Sequence, residues 1–305
     1  LRRFVIRRIL VLLVLLLFTT VFIFGMSRAS GDPRSMYLDR RMSGERWEAL
    51  GKAMGLDRPI YVQYGIWLAK VFKGDFGKSL HMQRDAMVVV RERLPATIQL
   101  GFGALIFTVF VGLPLGVLSA VSRGSVFDYV GRTFALLGQA MPGFWLGIML
   151  IFIFAVHFGW LPTGRRGGLD HYILPSITLG WYTAAGLLRL VRSSMLEVLD
   201  SEYVKLARAK GVRPWLLIWK HAFRNALISP LTYAGLLIGG FLTGTVVTET
   251  VFAWPGVGRL TISAVMNNDF PVMAAAMLFF TVIYVSTALF VDLLYLWVDP
   301  RIRLS

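Results

Sequence analysis

The residues of this sequence that could do chemistry are its histidines, its carboxylates and one glycine-lysine-serine triplet. Their spacing argues against each chemistry in turn. His81, His157, His171 and His221 are scattered, with no two placed one helical turn apart as a metal-binding helix requires. Cysteine is absent, which excludes a disulfide framework, a thiolate metal site and a cysteine nucleophile together. Gly77-Lys78-Ser79 has the ending of a phosphate-cradling G-x-x-x-x-G-K-[ST] loop, but Phe72 stands where the first glycine belongs. No G-x-S-x-G, H-E-x-x-H or paired-carboxylate cluster falls in an apolar run, so an intramembrane hydrolase has no visible nucleophile, base or metal site. The expectation is a chain with no catalytic residue, no metal and no cofactor of its own.

The elements that would position any such residues are apolar helices. Of 305 residues 56% are hydrophobic and 16% charged, whereas a soluble domain is about a quarter charged. A hydrocarbon core about 30 Å thick needs roughly 20 apolar helical residues. Six charge-free runs meet that need: Ile9 to Met26, Ala96 to Val121, Thr133 to Gly164, Tyr172 to Leu188, Asn225 to Thr248 and Phe270 to Val291. None alternates as a barrel strand does. The third is long for one span and is expected to leave the membrane near Phe158. The fold class is therefore all-α, a polytopic membrane protein with six transmembrane helices. The first run is read as a span and not a signal peptide, because no small-x-small cleavage site follows it before Arg28.

Lysine and arginine set the orientation. With the amino terminus inside, the short inside segments hold Arg2, Arg3, Arg7, Arg8, Arg123, Arg132, the eight basic residues from Arg189 to Arg224, and Arg301 and Arg303; the short outside loops hold Arg165, Arg166 and Arg259. Both ends are thus placed in the cytoplasm, N-in and C-in. The formal charge of +15 reads as this bias plus attraction to the lipid bilayer, with no nucleic acid as partner. Three regions follow: residues 1–26, an inside segment and first span; 27–95, an external segment with an in-plane helix over Ile60 to Phe72 whose Tyr61, Tyr64 and Trp67 share the headgroup level; and 96–305, a five-span core with an inside loop at 189–224.

Within the spans small residues recur four apart, as in Gly112 with Gly116, Gly143 with Gly147, Gly235 with Gly239 and Gly240 with Gly244, which predicts close helix packing. Pro114, Pro142, Pro175 and Pro230 permit kinks. Glu249, Asp292 and Asp299 approach the membrane near span ends, where structural pairing is expected.

Two segments outside the spans are built for stiffness. Met195 to Lys210 reads as a helix, Gly211 as its stop and Pro214 as the start of a second helix through Trp219. The resulting knob has apolar and basic faces. A groove on a cytoplasmic protein fits it better than anionic lipid, which charge alone would satisfy without the glycine break. The second segment, Glu249 to Leu260, holds Pro255, Gly256 and Gly258 within four residues and suits a tight re-entrant or capping turn.

At the knob the sequence resembles the permease subunits of binding-protein-dependent ABC importers, whose shared loop reads E-A-A, three residues, Gly, then I-x-L-P. Lys205, Leu206, Ala207 and Gly211, then His221, Phe223 and Arg224, take those positions; Ala207 and Gly211 match, the Glu and the Pro do not. Glu202 to Gly211 and His221 to Leu227 resemble the dipeptide/oligopeptide/nickel branch. So do Gly31-Asp32-Pro33, Gly55 to Pro59, Gln63-Tyr64, Gly74 to Gly77, Arg93-Leu94-Pro95-Ala96-Thr97, Glu249 to Leu260, Val291 to Tyr295 and Asp299-Pro300-Arg301, in the order of the B-type (DppB/OppB-like) subunit.

The resemblance implies a type I ABC importer permease in a bacterial or archaeal plasma (inner) membrane, carrying dipeptides, oligopeptides or a related small solute. Its implied partners are a second homologous permease (DppC/OppC-like), two ATP-binding cassette subunits that hold ATP and Mg, and an external substrate-binding protein. Lys205, Leu206, Ala207, Arg208, Lys210 and Gly211 are the expected ATPase-coupling residues. Glu249, Trp254, Pro255, Gly256 and Gly258 are candidates for an external gate or docking surface, with Glu249 expected to pair with Arg259 or a backbone donor before it reads a peptide's amino group. A pore-less membrane scaffold or receptor is the alternative, and an ion-coupled carrier is disfavoured, since the spans lack a charged relay.

Overall fold

The computed structural model describes residues 2–29, 48–49, 51–52, 55–243 and 245–298. Gly31-Asp32-Pro33, Gly244, the side chain of Asp292 and Asp299-Pro300-Arg301 lie outside the described residues. Twelve helical elements carry the argument. They are α1 (Arg2–Ala29), α2 (Ile60–Phe72), α3 (Ala86–Val121), α4 (Val126–Ala140), α5 (Gly143–Leu150, continued by π-helical Ile151–His157) and α6 (Asp170–Leu199), then α7 (Glu202–Ala209), α8 (Pro214–Leu216, continued by π-helical Leu217–Phe223), α9 (Ile228–Thr243), α10 (Val246–Val251), α11 (Val257–Met266) and α12 (Phe270–Val298). Among the described residues the only strand-like pairing is an isolated bridge between Lys78 and Asp85.

The spine is α3. Its 36 residues make a rod of about 54 Å, longer than a bilayer core, and its packing changes along its length. The first turns, with Val89 and Val90, share a buried core with Val257, Leu260, Val272 and Ala276 of α11 and α12. Further on, Ala96 and Leu100 enclose Trp254. The last turns, with Val117 and Ala120, join Leu187, Val191 and Met195 of α6 and Ala222 and Ala226 beyond.

Glycine sets how closely α3 and α6 approach. A Cβ on Gly116 would stand 2.7 Å from Val191, and one on Gly112 3.0 Å from the Ala184 carbonyl; Gly180 answers from α6, 2.8 Å from the Ala104 carbonyl. Gly147 and Gly239 pack in the same way, whereas Gly143, Gly235 and Gly240 face open space. Close packing therefore explains part of the four-residue spacing.

The crossings differ from the six uninterrupted runs. α1, α3 and α12 are each long and apolar enough to span by themselves. The third run is bent: α4 and the helix Gly143–His157 meet at 111°. Met141 is extended there, with φ −86° and ψ 127°, as a residue before proline tends to be. The fifth run is broken into α9 and the short α10. The fourth continues well past Leu188 as α6, and the helix expected from Met195 to Lys210 is split, because α6 ends at Leu199 and a new helix starts at Glu202. Extended Ser201 makes the break, its hydroxyl donating back to the Val198 carbonyl.

The three aromatic residues of α2 differ in their contacts. Tyr64 hydrogen-bonds Thr20 at 2.8 Å and meets Phe24 edge-on at 5.4 Å, with Trp67 beside the same ring, while Tyr61 is exposed. Tyr64 and Trp67 pin α2 to the end of α1.

Candidate functional site

The knob is α7, a tight turn and α8. Val204 is the buried residue of α7, while Lys205, Leu206, Arg208 and Lys210 are exposed and Ala207 is half-buried. The turn closes α7 in a Schellman motif. The N–H of Val212 reaches the Ala207 carbonyl at 3.2 Å, the N–H of Gly211 reaches the Arg208 carbonyl at 3.0 Å, and Gly211 sits at φ +77°. Open space surrounds that glycine, so its requirement is conformational and not steric.

Pro214 occupies the first turn of α8, where its missing N–H costs nothing. Leu217 and Ala222 then anchor the segment, and Asn225 links it to α7 through the Tyr203 hydroxyl at 3.1 Å. The knob is thus braced on the buried end of α6, with Leu206, Trp215, Leu216 and Trp219 exposed. Sequence reading did not single out the two tryptophans as contact residues; their 5.3 Å ring pairing joins them into one apolar patch. Lys205 donates to Glu202 at 2.8 Å, and that bond holds the Glu202 carboxyl below its ordinary range.

At the opposite end of α3 the rim is tightly cross-linked. Glu249 is fully buried. Its Oε1 accepts from the Thr97 hydroxyl at 2.7 Å and its Oε2 from the backbone N–H of Arg259 at 2.9 Å. The Arg259 guanidinium itself donates to the Ala253 carbonyl at 2.7 Å. Thr97 also accepts from the N–H of Val257 at 2.8 Å. Trp254 is buried, gives its indole N–H to the Ala96 carbonyl at 2.8 Å and meets Tyr172 edge-on at 4.8 Å.

Gly256 and Gly258 are obligatory here for space. A Cβ on Gly256 would fall 2.2 Å from the Glu249 carboxylate, and one on Gly258 2.7 Å from the Val246 backbone. Pro255 is half-buried. This geometry commits the Glu249 carboxylate to the protein's own donors. The residue that sequence reading missed is Thr97. It lies in the Arg93-to-Thr97 segment, but no spacing rule links it to Glu249. Among the described residues no group of three His, Asp or Glu could hold a metal ion.

Comparison with known proteins decides the family. Residues 112–304 match the binding-protein-dependent transport system inner membrane component family, and residues 1–101 match its N-terminal membrane component. The chain belongs to this family of membrane permeases. It is 38% identical to a dipeptide transport system permease protein, DppB, of Alkalihalophilus pseudofirmus, over 97% of this chain and 98% of that one. It is also 38% identical to a glutathione transport system permease protein, GsiC, of Salmonella choleraesuis, over 98% of each chain. An oligopeptide transport system permease protein, AppB, of Bacillus subtilis is 38% identical, over 98% of this chain and 99% of that one.

Two solved structures share the permease fold. A methionine ABC transporter, MetNI, in an inward-facing conformation matches with TM-score 0.58 and 20% identity, over 70% of this chain and 97% of that chain. An amino acid ABC transporter solved with histidines matches with TM-score 0.55 and 15% identity, over 68% of this chain and 92% of that chain. The permease assignment rests on the family match and the near full-length relatives.

Proposed function

We propose that this permease forms half of the membrane path of an ATP-driven importer for dipeptides, oligopeptides or a related small solute. The reading is carried by one observation: a permease with no phosphate-cradling motif projects an exposed helix, Glu202–Ala209, closed at Gly211 and braced on α6. A chain that binds no nucleotide is driven only by differential contact with a partner that does. Two ATP-binding cassette subunits, holding ATP and Mg, supply that contact to Lys205, Leu206, Ala207, Arg208, Lys210 and Gly211. A second, similar permease completes the path, and an external substrate-binding protein delivers the solute.

Relatives named for dipeptide, oligopeptide and glutathione transport support the solute class. The arrangement proposed is six crossings, with bent α4–α5 as the third and broken α9–α10 as the fifth, both termini in the cytoplasm of the bacterial inner membrane. In it Glu249, Trp254, Gly256 and Gly258 hold the frame of an external gate. Their burial leaves docking of the binding protein to other, exposed residues.

Transport by the reconstituted complex tests the reading. Gly211→Val forces a β-branched residue to φ +77°, at a cost of about 1 kcal/mol or more, and turns Pro214 and α8 away from their seat. Ala207→Asp places a charge in the expected contact. Both variants are expected to lose peptide-stimulated ATP hydrolysis and peptide uptake together. Normal coupled uptake in both would remove the knob from the mechanism.

A further inference from the structure

Asp128 opens α4 and is 1% exposed, a burial that the sequence gives no reason to expect of an acid between two charge-free runs. Its carboxylate gathers donors from three places. Oδ1 accepts from the Ser119 hydroxyl of α3 at 2.6 Å and from Arg192 Nε of α6 at 2.8 Å. Oδ2 accepts from the N–H of Gly124 in the connecting turn at 3.0 Å and from Arg192 Nη2 at 3.1 Å. Arg132 approaches Oδ2 at 3.4 Å from the next turn of α4. The Arg192 contact is the two-pronged guanidinium–carboxylate geometry that fixes direction as well as distance.

Cohesion alone does not call for this pair. α4 is already packed closely on α6 and α3, where a Cβ on Gly138 would stand 2.5 Å from Ala185 and one on Gly131 3.1 Å from Ser119, and a buried ion pair commonly holds a fold no better than well-packed apolar side chains of the same volume. What the pair adds is a contact of fixed direction between α4 and α6. Arg192 lies one turn before Met195, which shares a buried core with Ala222 and Ala226 under the knob. Asp128 begins the helix that runs to the 111° bend at Met141–Pro142. A cavity of about 290 Å³ beside the joint is lined by Arg132, Gln139, Leu188, Arg189 and Arg192, while Ala135 of α4 shares a buried cluster with Ala185 and Leu188 of α6, so the two helices move as one.

We infer that Asp128 is a positioning residue for transport, tying α4 to Arg192 so that displacement of the knob reaches the bend of the third span. The inference rests on the proposed function, because it needs an ATPase to move the knob.

The test uses the full complex in proteoliposomes, with three readouts: subunit co-purification, the ratio of peptide-stimulated to basal ATP hydrolysis, and peptide uptake per ATP. Stimulation of the parent complex by peptide and binding protein checks the underlying reading separately. Two variants then address the joint. Asp128→Asn keeps the shape and loses the charge. The double variant Asp128→Leu with Arg192→Met replaces the pair by apolar packing and keeps assembly from depending on a stranded charge. Both are expected to lower the stimulation ratio and uptake per ATP by about fivefold or more, the range of a typical coupling free energy, and the double variant is expected to assemble as the parent does. Parental coupling in the assembled double variant would reduce the pair to packing and overturn the inference. Failure of both variants to assemble would overturn it too, since Asp128 would then determine folding and not coupling.

Discussion

Thr97 holds more of the outer rim than a single hydroxyl ordinarily would, because it donates to Glu249 and accepts from the N–H of Val257 at the same time. All three residues are buried. Thr97→Val keeps the shape and leaves a carboxylate oxygen and a backbone N–H without this partner, each costing about 1–3 kcal/mol. Thr97→Ser keeps the hydroxyl. The valine variant is therefore expected to lose about 2 kcal/mol or more, seen as a lower thermal midpoint of the purified chain in detergent, with serine close to the parent. Equal midpoints for the two would mean that the hydroxyl bridge does not hold the rim. Glu249 was legible in the sequence because it ends an apolar run and precedes a proline-glycine turn. Thr97 was not, since a threonine in an apolar helix ordinarily bonds its own preceding turn, and nothing in one dimension joins residue 97 to residue 249. The same holds for Asp128 and Arg192, 64 residues apart.

At the scale of elements, the helices were legible and their continuity was not. Counting charge-free residues finds apolar length, and it treats each run as one straight rod. Pro142 and the extended Met141 bend the third run, and Ser201 splits the knob from α6. The glycine pattern shows a similar limit: the four-residue spacing signals close approach, but only the neighbouring helix decides which glycines need it. Gly116→Ala would press a methyl to 2.7 Å from Val191 and 2.9 Å from the Leu188 carbonyl, and the backbone cannot yield cheaply. A loss of about 1–3 kcal/mol is expected. Gly143→Ala meets nothing within 4 Å and is expected to be neutral or to stabilise by a few tenths to about 1 kcal/mol through the unfolded chain. Thermal midpoints in one detergent compare the two directly. A Gly116→Ala variant as stable as Gly143→Ala would show that α3 and α6 do not approach this closely.

For the whole molecule the decisive property is orientation, because the function proposed for the knob and the rim requires them to lie on opposite sides of the membrane. α3 separates them by its length: its first half carries the rim contacts at Ala96 and Thr97, and its last turns carry the core beneath the knob. Large apolar side chains such as Phe18, Phe22, Phe110 and Leu136 are exposed along the helices between, as lipid contact or a second permease requires. The basic residues of 189–224 favour the cytoplasm. The chain has no cysteine, so single cysteines can report each side without background. An impermeant thiol reagent added to intact cells is expected to label Tyr61→Cys, on the exposed face of α2, and to label Ser201→Cys, at the head of α7, only after the membrane is opened. Labelling of Ser201→Cys from outside would invert the map. It would also put the knob where no ATPase could reach it, so the coupling assigned to Gly211 and the joint assigned to Asp128 would fall with it.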